Sequence, residues 1–208
     1  MIFFRRKNLY NRKGLFRVWK TFETLSDLKR THPDKLDYDQ PTVFERIENS
    51  KAIAVPGYNP QGLFLGSYWR DLKTRENGRK EHGFYWDVYE HHRRKEQLFS
   101  EVNKWYDFLM CHLHRTDHHQ HQYGDPSIST YDEEKLQDLY EETDDLAGRI
   151  VGFFEEDYDY IIFMSDHGLP TEKEHNENAF YSCNKELFGD ETPHITDFHD
   201  KILELTEK

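Results

Sequence analysis

At 208 residues, with 33% charged and 36% hydrophobic residues and a formal net charge of −12, the chain has the size of one domain with a sizeable core. The acidic balance argues against a nucleic-acid-binding surface, which draws on Lys and Arg to neutralise phosphates. Two cysteines give neither a disulfide framework nor a Cys-x-x-Cys metal spacing, so a reducing, cytoplasmic setting is expected. Met1 to Phe4 is too short an apolar run for a signal peptide and meets Arg5, Arg6 and Lys7 at once. No later run approaches the roughly 20 apolar residues of a membrane helix, so a soluble, unexported chain without membrane association is the expectation.

In chain order, residues 1–40 are basic and aromatic, with Arg12, Lys13, Arg17, Trp19 and Lys20 punctuated by Gly14 and Pro33, and read as an irregular lead-in to a sheet-bearing region at 41–208, the two making one α/β domain. Pro41 to Ile47 carries a helix-start pattern, and Lys51 to Val55 reads as a short strand ended by Pro56 and Gly57. From Asn59 to Gly83 there is no sustained periodicity but repeated Gly and Pro, which suits a long surface loop of the kind that forms lids. Val88 to Val102 keeps apolar residues on either side of a charged middle and reads as a helix over a core.

A strand is predicted at Trp105 to Leu113, followed by His112, His114, Asp117, His118, His119 and His121 ahead of Gly124. Asp132 to Glu156 places Leu136, Leu139, Thr143, Leu146, Ile150 and Phe154 at helical spacing. It delivers the chain to Asp157 to Gly168, whose apolar run Ile161, Ile162, Phe163, Met164 ends in Ser165, Asp166, His167 and Gly168. Strand, helix, strand in this order implies a right-handed crossover, with both polar tips on one edge of the sheet. A mainly parallel sheet with helices on both faces follows. After Pro170 come an acidic loop with His175, an aromatic patch at Phe180 and Tyr181, and a closing helix from Thr196 to Leu205.

The sheet edge beyond the carboxyl ends of such strands is where ligands bind in open α/β folds. A His-rich tract alone is equally compatible with a polar loop or adventitious metal binding, and Ser165 to Gly168 alone with a turn that merely ends a strand. Asp117 and His121, four residues apart, place a carboxylate and an imidazole on one side of a helical turn, a donor pair suited to zinc or another first-row divalent ion. Two such tips, Asp117 with His121 and Asp166 with His167, point to a two-ion centre of the kind that activates a nucleophile and stabilises a leaving oxygen.

In motif order, Asp117-x-x-x-His121-x-x-Gly124 followed after a helix by a strand ending in Ser165-Asp166-His167-Gly168 resembles the alkaline phosphatase superfamily, most closely its type I phosphodiesterase and nucleotide pyrophosphatase branch. The resemblance covers about Trp105 to Leu205. It implies an alkaline phosphatase-like fold, a two-ion site, usually zinc and in some cases manganese, and a phosphate-ester small molecule as substrate. By the same resemblance Asp117, His121 and His175 would hold one ion, and Asp166 and His167 the other. The family's opening strand with a metal-binding Asp and a Thr or Ser nucleophile has no match before residue 40, where Thr21, Thr24 and Thr31 stand in other surroundings. The expectation is therefore a phosphoric ester hydrolase that corresponds to the carboxyl-terminal part of a family member, completed by a separate amino-terminal polypeptide. The alternative is a non-catalytic metal-binding relative without the nucleophile.

Overall fold

The computed structural model describes residues 2–4, 20–23, 41–56, 58–59, 80–127, 129–168 and 178–207. His175, Thr24, Thr31 and most of the expected lid loop lie outside them. The elements are β1 (Ile2–Phe4), β2 (Lys20–Glu23), α1 (Val43–Arg46), β3 (Ser50–Ile53), α2 (Lys80–Phe99), β4 (Phe108–Cys111), α3 (Arg115–Tyr123), α4 (Glu133–Phe154), β5 (Tyr160–Ser165), β6 (Asn178–Cys183) and α5 (Asp197–Thr206). Among the described residues, no helix is long and apolar enough to cross a membrane.

The strands form one six-stranded sheet in the order β2, β6, β5, β1, β4, β3. Only β3 and β4 pair in parallel, with Ser50 beside Phe108 and Ile53 beside Cys111; the other described neighbours are antiparallel. The described sheet is thus mixed, not mainly parallel. The reason lies in β1, which slots between β4 and β5 and runs against both, pairing Ile2 with Met110 on one side and Ile162 on the other. A crossover helix fixes the direction of the two strands it joins but not how many strands it passes over. Since β4 and β5 both oppose β1, they run the same way, and their carboxyl ends share one edge with that of β3.

Alternation along the central strands builds two cores. Phe108 and Ile162 face one side, where Phe44 and Ile47 from the α1 region and Phe198 and Ile202 of α5 cover them. Leu109, Cys111 and Ile161 face the other, against Leu98 of α2 and Leu146, Ile150 and Phe154 of α4. The last three recur every four residues, which is why this helix holds one stripe against the sheet. Each such fully buried side chain contributes about 1.5–3 kcal/mol. Asp132 starts α4 by accepting a hydrogen bond from the Lys135 amide at 3.1 Å, and Glu133 and Glu134 place negative charge in its first turn.

Candidate metal centre

The chain leaves β4 under tight constraint. Cys111 is fully buried, and the His112 amide donates to the Ile53 carbonyl at 3.0 Å. From α2, the buried Arg94 guanidinium donates to the His112 carbonyl at 3.0 Å and lies 3.3 Å from its Nδ1. Burial, together with the nearby His114 and Arg94 charges, pushes His112 down to about 3, so its ring stays neutral and accepts from Arg94. The two residues after His112 are thereby aimed at the start of α3.

In α3, Asp117 falls in the first turn, where the helix dipole favours a carboxylate, and His121 follows one turn later. The helix docks on α4 through polar pairs, Arg115 with Glu142 and Gln120 with Tyr140, which leaves its Asp117 side turned toward β5. Gly124 ends it because a Cβ there would stand 2.6 Å from the Gln120 carbonyl oxygen, which accepts the Gly124 amide at 2.7 Å. That close approach is the physical content of the glycine in Asp-x-x-x-His-x-x-Gly.

Asp117 is the hub. Its Oδ2 lies 2.9 Å from His114 Nε2, while its Oδ1 lies 3.5 Å from His121 Nε2 and 3.4 Å from His167 Nε2. Burial alone would raise this carboxyl, but the hydrogen bond and charge of His114, then His121 and His167, outweigh it and hold the group down at about 2. At the end of β5 the chain turns, as adjacent Asp and His must if both are to serve one centre. Ser165 Oγ donates to the His167 carbonyl at 2.6 Å, and His167 Nδ1 stands 2.8 Å from the Gly168 carbonyl. A carbonyl only accepts, so Nδ1 donates to it, and Nε2 is left facing Asp117 and, at 3.7 Å, Asp166.

Lone pairs of an imidazole and a carboxylate that face each other repel unless a proton or a cation lies between them. Separations of 3.4 and 3.5 Å are those of neighbouring ligands around a tetrahedral zinc, about 3.3–3.4 Å for bonds of 2.0–2.1 Å. Backbone support of the non-ligating ring nitrogen, as at His167, is the usual outer-shell arrangement of metal-bound histidine. Among the described residues, His114, Asp117 and His118 each place one ligand atom within 4.8 Å of the other two, a group that could hold a metal ion.

Of the residues singled out in the sequence, Asp117, His121 and His167 come together directly. Asp166 joins through His167 with its side chain 79% exposed, and His175 lies outside the described residues. His167 of the second tip also faces Asp117 of the first, with Nε2 3.4 Å from Oδ1. Sequence reasoning passed over His114 and Arg94. His114 carried a signal, its spacing of three from Asp117, whereas Arg94 reaches His112 across 18 positions and carried none.

No curated protein and no solved structure matches the chain. A match to a protein family does span residues 18–192, and it includes β4, α3, α4, β5 and the polar tips just described. By that match the chain belongs to the type I phosphodiesterase / nucleotide pyrophosphatase family, within the alkaline phosphatase superfamily.

Proposed function

We propose that the chain is a metal-dependent hydrolase of phosphoric esters, of the phosphodiesterase or nucleotide pyrophosphatase kind, acting on a small phosphate-ester substrate. The observation that carries this reading is the convergence of His121 and His167 on one oxygen of Asp117 at the carboxyl edge of the sheet. Asp117 and His121, with His175 from the acidic loop, would hold one zinc or manganese ion, and Asp166 and His167 a second beside it. A divalent ion there supplies positive charge against the phosphoryl group and acidifies water toward neutral pH.

The chain's own residues prepare that chemistry. Asp117 stays ionised throughout the physiological range and orients three imidazoles. The bond to the Gly168 carbonyl keeps His167 in the tautomer that ligates through Nε2. The nucleophile would be a hydroxyl, from this chain or from a separate amino-terminal polypeptide. Hydrolysis of bis-para-nitrophenyl phosphate by the full chain with zinc or manganese tests the proposal. Slow turnover that chelation stops and that Asp117→Ala abolishes is expected. Metal binding without any turnover would instead mark a relative that keeps the ion site alone.

A further inference from the structure

Three cations gather around α2 and α4 in a chain whose net charge is −12. Lys95 of α2 is half-buried, and Phe99 follows it one turn later on the same side of the helix. Arg149 of α4 stands over the Phe99 ring, its Cζ 5.2 Å from the centroid, a contact that uses no acceptor and leaves the guanidinium donors available. Arg115, the first residue of α3, pairs with Glu142 of α4 and has its side chain 16% exposed. Its Nε is buried and meets no hydrogen-bond acceptor among the described residues. Glu142 and Arg149 lie two turns apart on one side of α4, about 10 Å along its axis. Burial and the charges of Arg115 and Arg149 push the Lys95 ammonium below its ordinary value against the pull of Glu142, so the four groups act on one another.

We infer that Lys95, Arg115 and Arg149 form a binding site for a dianionic phosphate group, apart from the metal centre. The three cations share Glu142, which leaves two positive charges uncompensated within the group. Like charges brought together repel, and an anion placed among them relieves the repulsion. Two guanidinium forks and one ammonium are the donors that phosphate oxygens take. A phosphate monoester carries a charge of about −1.5 to −2 at neutral pH, whereas a diester has a single ionised oxygen. The group therefore matches a monoester better than a diester. On the hydrolase reading proposed above, a monoester is what cleavage of a diester releases, so the site would take product, not substrate; that step rests on the reading, while the binding itself does not. α3 sets Arg115 toward α4 and Asp117 toward β5, so the cations face away from the histidines.

The test is calorimetric titration of the full chain with methyl phosphate at low ionic strength, after passage over a chelating resin so that no ion competes for the phosphate. Saturable binding of one equivalent is expected. Lys95→Ala and Arg149→Ala should each weaken it about 10-fold or more, and Lys95→Arg should keep it. Lys201→Ala, on α5 across the sheet, should change nothing. Dimethyl phosphate, with one charge fewer, should bind about 10-fold more weakly. Absence of saturable binding by the parent overturns the inference, as does equal affinity for the two esters or parent affinity in both alanine variants. An equal loss in Lys201→Ala overturns it too, because the attraction would then be diffuse. Turnover by the metal-loaded chain is a separate measurement, so failure of this site and failure of the hydrolase reading are told apart.

Discussion

The tips of β4 and β5 reach the same sheet edge, yet they are built in opposite ways. Beyond β4, a buried arginine, a backbone clamp and a docked helix hold Asp117 with both oxygens engaged. Beyond β5, a two-residue turn held by Ser165 presents His167 inward and leaves Asp166 largely in water. The first tip is organised before any ion arrives, and the second is half finished. Preorganised ligands bind at lower entropic cost, so an ion on the Asp117 side should bind more tightly than one that relies on Asp166.

The strongest way to break that contrast is Asp117→Ala. Loss of outer-shell partners alone costs 10–100-fold in metal affinity, so removal of the hub carboxylate should exceed about 100-fold in a chelator competition. A smaller loss there than in Asp166→Ala would reverse the ranking of the two tips. Next comes Arg94→Ala, which touches no ligand. It removes a charged donor from a buried carbonyl and should cost about 1.5–3 kcal/mol in denaturant unfolding, with zinc affinity falling in parallel. Unchanged affinity would show that the clamp at His112 does not govern the tip.

Acid sharpens the comparison without metal. Asp117 has a folded value near 2, below the usual unfolded carboxylate value. A depressed carboxyl contributes stability that is fully present above the unfolded value and is lost as pH falls through the folded one. Between about pH 4 and pH 2 the metal-free parent should therefore lose about 2 kcal/mol more stability than Asp117→Asn. Equal acid sensitivity of the two would mean that the imidazoles do not hold the carboxylate in the folded chain. The smallest effect is expected from Asp166→Ala, whose side chain is 79% exposed: less than about 1 kcal/mol in metal-free stability, with the tighter zinc equivalent retained.

This contrast was only partly legible in the amino-acid order. The apolar run of β5 and the four-residue stripe of α4 announce themselves because burial on one or both faces demands a period. Both polar tips followed from their position just after such runs. What could not be read is lateral. Nothing in Ile2, Phe3 and Phe4 says that they pair with β4 and β5 at once, and so the mixed order of the sheet stayed hidden. β6 was visible only as an aromatic patch around Phe180 and Tyr181, because its pairing with β5 is set by tertiary contact. Arg94 was hidden for the same reason. A buried arginine looks in sequence like any solvated residue of a charged helix face, and only its distant carbonyl partner tells otherwise.

The position of β1 has a practical side. Because it runs against its neighbours, its first described residue, Ile2, sits level with Met110 and Ile162, toward the edge that carries Asp117 and His167, while Phe4 lies toward the opposite edge. Whatever is joined to the chain ahead of Ile2 therefore emerges beside the histidines. A polyhistidine purification tag fused there would deliver extra imidazoles to the metal centre and inflate every zinc count. The same tag after α5, or a tag removed before dialysis, keeps the ligands that are counted the protein's own.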